Sequence, residues 1–81
     1  MARISAGLDK DGALVNLGVA IRARRKALHL SQEALSDAAE IDRSHMGKIE
    51  RGERNVTFLN IVKIASALGC KASELLVDSN L

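Results

Sequence analysis

Residues 30–52 read LSQEALSDAAEIDRSHMGKIERG, and their spacing predicts two short amphipathic helices separated by a few turn residues. Ser31 is a good N-cap for the first, Gln32 to about Ala39, because its hydroxyl can accept an N–H that the first helical turn leaves unpaired. Glu33 complements the helix dipole in that turn. Asp42 caps the second helix in the same way, and Gly52 is placed to end it. At about 100° per residue, Met46 and Ile49 point one way, while Arg43, Ser44, Gly47, Lys48 and Arg51 share roughly the opposite arc. One face packs and the other stays open, an arrangement that suits a helix laid in a DNA groove.

The open face carries what base recognition needs: an arginine able to contact guanine O6 and N7 together, a short hydroxyl, and a lysine. Arg43 and Ser44 are best placed, since a groove-bound helix approaches the bases near its start, with Gly47 and Lys48 next along. Gly47 costs a mid-helix position roughly 1 kcal/mol relative to Ala. It marks a close approach, either of the helix backbone to DNA or of a neighbouring helix.

Working outward, Leu14, Leu17, Ile21 and Leu28 keep a helical spacing from Ala13 to about Leu28. His29 follows, where a chain leaving a helix often needs a left-handed residue, so it is either mildly strained or the turn differs there. Thr57 caps a fourth helix that runs to Leu68 and stops at Gly69, and a fifth short helix spans about Ala72 to Val77. Phe58, Ile61, Ile64, Ala65 and Leu68 form an inward stripe on helix four. The chain has 81 residues, 47% of them apolar, and no proline. Such a chain makes one small all-α domain with a modest core, over 13–81, and no sheet. Residues 1–12 read as a flexible N-terminal arm or a weak helical lead-in.

The net charge is only +2, so its distribution matters more than its sum. Residues 1–21 and 55–81 each balance; the surplus lies in 22–54, where eight basic residues face six acids. The positive field is therefore focused on the helix pair. Within helix one, Arg24 and Lys26 read as a solvated face, and Arg22 as either solvated or part of a phosphate-contacting rim. A single cysteine, Cys70, makes no internal disulfide, and no apolar run approaches the roughly 20 residues that cross a bilayer, so no membrane partner is expected. The N-terminus lacks the apolar h-region of a secretory signal, and a reducing cytoplasm is the expected setting.

The residues also carry a resemblance. Ile21-Arg22 with Arg25, Leu30-Ser31-Gln32-Glu33 with Leu35, Ile49-Glu50-Arg51-Gly52, Ile64-Ala65 with Ala67-Leu68-Gly69, and Glu74-Leu75-Leu76 together resemble the phage-repressor-like helix-turn-helix family, also called the xenobiotic response element (XRE) family. Arg54-Asn55-Val56-Thr57, following Glu50-Arg51-Gly52, is similar to the small controller proteins of restriction–modification systems. The resemblance implies five helices, with helix three in the major groove and helix two crossing the backbone, Gln32 at its start reaching a phosphate or base edge. It implies a structural ion pair between Arg25 and Glu50, which could fix the recognition helix on helix one. Phosphate contacts are expected from Gln32, His45, Arg51, Arg54 and Asn55. Two positions depart from the family pattern: Glu40 stands where the turn usually has Gly, and Gly47 where Ser is frequent.

Leu59 and Val62, with Ser66, form a second stripe on helix four, rotated away from the inward one. Solvent-facing apolar residues are ordinary when single. A two-fold contact made by Leu59, Val62, Leu76 and Val77 is the alternative, and a homodimer would present two recognition helices to a palindromic operator in double-stranded DNA. A third reading is a protein-interaction module, such as an antitoxin-like partner. For a regulator, RNA polymerase is a further expected contact. Enzymatic chemistry is not expected: Ser31 and Asp42 are better explained as caps than as a triad with His45. His29, His45 and Cys70 are too scattered for a metal site, and no cofactor is implied. With Phe58 the only aromatic, stacking on single strands is disfavoured.

Overall fold

In the computed structural model, which describes Asp9 and residues 11–81, five helices follow one another: α1 Ala13–Ala27, α2 Gln32–Ala39, α3 Arg43–Glu50, α4 Phe58–Ala67 and α5 Ala72–Asp78. The described residues contain no strand. The expected arm, residues 1–12, lies outside the described residues except at Asp9, Asp11 and Gly12. Among the described residues no helix is long and apolar enough to cross a membrane.

Local chemistry starts each helix. The Ser31 hydroxyl accepts from the Ala34 N–H at 2.9 Å, the Asp42 carboxylate from the Ser44 N–H at 3.2 Å, and the Thr57 hydroxyl from the Asn60 N–H at 3.1 Å. The start of α1 is held from outside the helix: the Asp9 carboxylate accepts from the N–H groups of Ala13 and Leu14, both at 2.8 Å. In α5 the Glu74 carboxylate reaches back to the Lys71 N–H at 2.9 Å, half of a capping box.

The turns between helices are left-handed where they are shortest. His29 (φ 58°) follows α1, and Glu40 (φ 56°) ends α2 in the position the family usually gives to Gly. The backbone is the left-handed one that Gly takes without cost, and Glu40 carries the cost of a Cβ there. Ile41 then donates to the Ser36 carbonyl at 2.9 Å, closing α2 and delivering Asp42 to the start of α3.

Helix α1 packs on α3 and α5, α2 on α3 and α4, and α4 on α5. Ile21, Leu35, Met46, Ile49, Ile64 and Leu75 are fully buried where these contacts converge. Two glycines set how closely α1 and α3 approach. A Cβ at Gly18 would stand 2.4 Å from the Glu50 carbonyl oxygen, and one at Gly52, itself at φ 73°, would stand 2.7 Å from Val15 Cα. Backbone thus meets backbone at both ends of that contact.

Two core assignments are corrected. Phe58 is 70% exposed rather than part of the inward stripe on α4. It is the first residue of the helix, and Cα–Cβ bonds tilt toward a helix N-terminus. Its ring therefore overhangs the preceding loop, whereas Ile64, Ala65 and Leu68, two turns on, are buried. Leu28 is exposed because α1 stops at Ala27, so the spacing that would carry Leu28 inward has no helix to carry it. Arg24 also differs from the solvated residue expected: its Nε meets the Asp78 carboxylate at 2.5 Å and ties α1 to the end of α5.

Candidate nucleic-acid interface

Helix α3 is buried along one side and open along the other. Met46 and Ile49 are sealed in the core; Arg43, Ser44 and Arg51 are exposed, and His45 and Lys48 are half-buried. The open side forms the floor of a shallow groove of about 480 Å³, lined by Gln32, Asp42, Arg43, Ser44, Lys48 and Arg51 over the Gly47 backbone. Arg54 and Asn55 lie exposed in the segment that follows Gly52. The arrangement brings basic and hydrogen-bonding side chains from α2 and α3 to one surface.

Beneath that surface a buried polar network fixes α3. Arg25 donates from Nε to Glu50 Oε2 at 2.8 Å and from Nη2 to Oε1 at 3.0 Å, while its Nη1 donates to the Leu30 carbonyl at 2.9 Å. The side chains are only 11% and 3% exposed. A bidentate Arg–carboxylate pair specifies angle as well as distance, so α3 is held on α1 in one orientation. Gln32 joins from α2, donating through Nε2 to Glu50 Oε1 at 3.2 Å. Glu50 therefore links three helices, and among the described residues no buried side-chain polar atom lacks a partner.

Gly47 sits in the floor of that groove. It is buried, and a Cβ there would lie 3.2 Å from Arg51 Nη1 and 3.3 Å from Gln32 Oε1. The close approach is made within the subunit, by side chains that cross over the helix backbone. Gly47 thus acts as the space that lets Gln32 and Arg51 converge.

Acidic residues accompany the arginines of this surface. Arg43 Nη1 donates to Glu33 Oε2 at 3.1 Å, and Arg51 donates from Nε and Nη2 to the Glu53 carboxylate at 2.9 and 3.2 Å. The hydrogen bond from Arg51 holds the Glu53 carboxyl below its ordinary range. Asp42 is likewise held low, first by the Ser44 hydroxyl, which donates to it, and then by the His45 N–H. Both acids stay ionised beside the groove, so the helix cap keeps its charge. From the sequence alone Glu33 reads only as a first-turn complement to the helix dipole, and Glu53 has no role; Glu33 and Arg43 sit on different helices, and only the fold brings them together.

A family model described as helix-turn-helix matches residues 21–75, and the chain belongs to that family. Within it, the chain is similar to control protein C.MunI of Mycoplasma sp: 40% identical over 55 residues, covering 68% of this chain and 74% of that protein. Among solved structures it is similar to the restriction–modification controller protein C.AhdI of Aeromonas hydrophila, with a TM-score of 0.75 and 47% identity over 76% of this chain and 94% of that one. It is similar too to the controller protein C.Esp1396I as a tetramer in complex with its natural 35 base-pair operator, with a TM-score of 0.74 and 26% identity, covering 83% and 92%.

Proposed function

We propose that this protein is a sequence-specific, double-stranded DNA-binding transcriptional regulator that acts as a homodimer and controls restriction–modification genes from the cytoplasm. The observation that carries the reading is the outward face of α3: Arg43 and Ser44 stand open to solvent while the Arg25–Glu50–Gln32 network fixes the angle at which they are offered. In this reading Arg43 and Ser44 contact base edges, with Lys48 beside them. Gln32, His45, Arg51, Arg54 and Asn55 neutralise or hydrogen-bond phosphates and supply most of the affinity. The likeness to controller proteins, one of them bound to its operator, supports the assignment.

For the dimer, Leu59 (68% exposed) and Val77 (75% exposed) are the strongest contributors, with Val62 beside Leu59 on α4. Leu76 is half-buried against the subunit's own core and contributes less. Pairing places two recognition helices about one DNA turn apart, which calls for a palindromic operator. Activation would add a contact with RNA polymerase.

Selection from a pool of random duplexes with the pure protein tests the reading. The expected result is a two-fold symmetric motif, and Arg43→Ala should lose preference at one position in each half-site. No enriched motif, or an enriched motif without symmetry, would overturn it. A monomer at micromolar concentration that binds no duplex would favour the protein-interaction module instead.

A further inference from the structure

Arg43, the first residue of α3, rests on Glu33 in the first turn of α2, and both side chains are largely exposed. A pair so open to water contributes little to the fold. Its position is the informative part. Glu33 holds Arg43, a wall of the groove that a polyanion would enter, and a carboxylate there repels every duplex alike unless a cation stays on it.

Arginine presents five N–H donors in a planar fork. With Nη1 on Glu33, the edge formed by Nε and Nη2 remains free, and that edge suffices for a bidentate contact to guanine O6 and N7. Arg43 can therefore read guanine without leaving its partner. A phosphate grip that draws Arg43 off Glu33 leaves the carboxylate unpaired against the duplex in an interface that has lost much of its water.

We propose that Glu33 is a positioning residue that sharpens sequence discrimination: by holding the Arg43 guanidinium it weakens complexes with the wrong base more than complexes with the right one. This rests on Arg43 being a base reader. Glu53 and Asp42, the other carboxylates at the groove, are engaged by Arg51 and by the α3 cap respectively, which leaves Glu33 as the acid that acts through Arg43.

The test compares full-length wild type, Glu33→Gln, Arg43→Ala and the double variant, each on the duplex selected by wild type and on a scrambled duplex, alongside fresh selections. Glu33→Gln is expected to bind the scrambled duplex about tenfold tighter, with the selected duplex changed less than about threefold, and to lose information at the position Arg43 reads. The double variant should match Arg43→Ala in its motif and in the ratio of its two affinities, because the repulsion that Glu33 alone exerts falls on both duplexes equally. Glu33→Ala should repeat the loss of discrimination, so that a folding defect of one substitution does not carry the result. An unchanged ratio of the two affinities in Glu33→Gln, equal weakening on both duplexes, or additive effects of the two substitutions on that ratio would overturn the proposal while leaving the base reading intact, provided Arg43→Ala alters the motif. An unaltered Arg43→Ala motif would overturn both.

Discussion

Replacing Gly18 by Ala should damage this fold although Ala is the better helix former. The added methyl would meet the carbonyl oxygens of Glu50 and Ile49 at 2.4 and 2.6 Å. Both are backbone atoms, so no side-chain rotation relieves the clash. Restoring ordinary contact requires α1 and α3 to part by about 1 Å, and overpacking of this kind costs about 1–3 kcal/mol or more. Helix propensity returns roughly 1 kcal/mol. With the clash at the upper end of its range, the net loss is about 2 kcal/mol, against a total stability of roughly 4–12 kcal/mol for a chain of this size. In urea, with a slope near 1 kcal/mol/M for a small domain, the unfolding midpoint should fall by about 2 M at unchanged slope. Because Glu50 is also the acceptor for Arg25 and Gln32, operator affinity should fall in the folded variant as well. A midpoint equal to or above that of wild type would refute the reasoning, since it would mean that α1 and α3 do not approach through their backbones.

Gly47→Ala should have the opposite sign: its methyl meets only the ends of two side chains, so unfolding should become harder by about 0.5–1 kcal/mol while DNA binding weakens as Arg51 and Gln32 shift, read by denaturation and titration of one preparation. Glu50→Ala should leave the Arg25 guanidinium buried without its acceptor and cost about 3–5 kcal/mol, enough to unfold much of the population, by the same denaturation measurement. Arg54→Ala should weaken binding to all sequences alike and lower the slope of affinity against salt by about one unit, whereas an altered motif in selection would make Arg54 a base reader. Leu59→Asp combined with Val62→Asp should sediment as a monomer with poor operator affinity, and an intact dimer would place the interface elsewhere.

What could be read from the chain beforehand followed the range of the interaction. Ser31, Asp42 and Thr57 declare their helices because a cap acts on N–H groups two or three residues away. Met46, Ile49 and Ile64 were legible because mid-helix periodicity maps directly onto a buried face. The same rule misplaced Phe58 and Leu28 at helix ends, where side-chain tilt and termination matter more than spacing. The turn at Glu40 was located by family resemblance alone, and its left-handed backbone carried no local marker because Gly is missing there. Arg25 and Glu50, 25 residues apart, are joined only by folding, and it was family resemblance rather than spacing that coupled them. Gly18 carried no signal at all, since its need arises from a carbonyl 32 positions downstream.

The division of labour within α3 sets the terms on which its preference could be reprogrammed. Arg43 and Lys48 project from a frame that does not depend on their identity, so a library randomised at those two positions should retain most of its members as folded proteins with new targets, whereas Ser44 also supports the Asp42 cap. Extended one residue inward to Gly47, or to Glu50, the same library would mix altered recognition with a displaced Gln32 or a broken hold on α1. Selection would then sort variants by survival of the scaffold before it sorted them by sequence read.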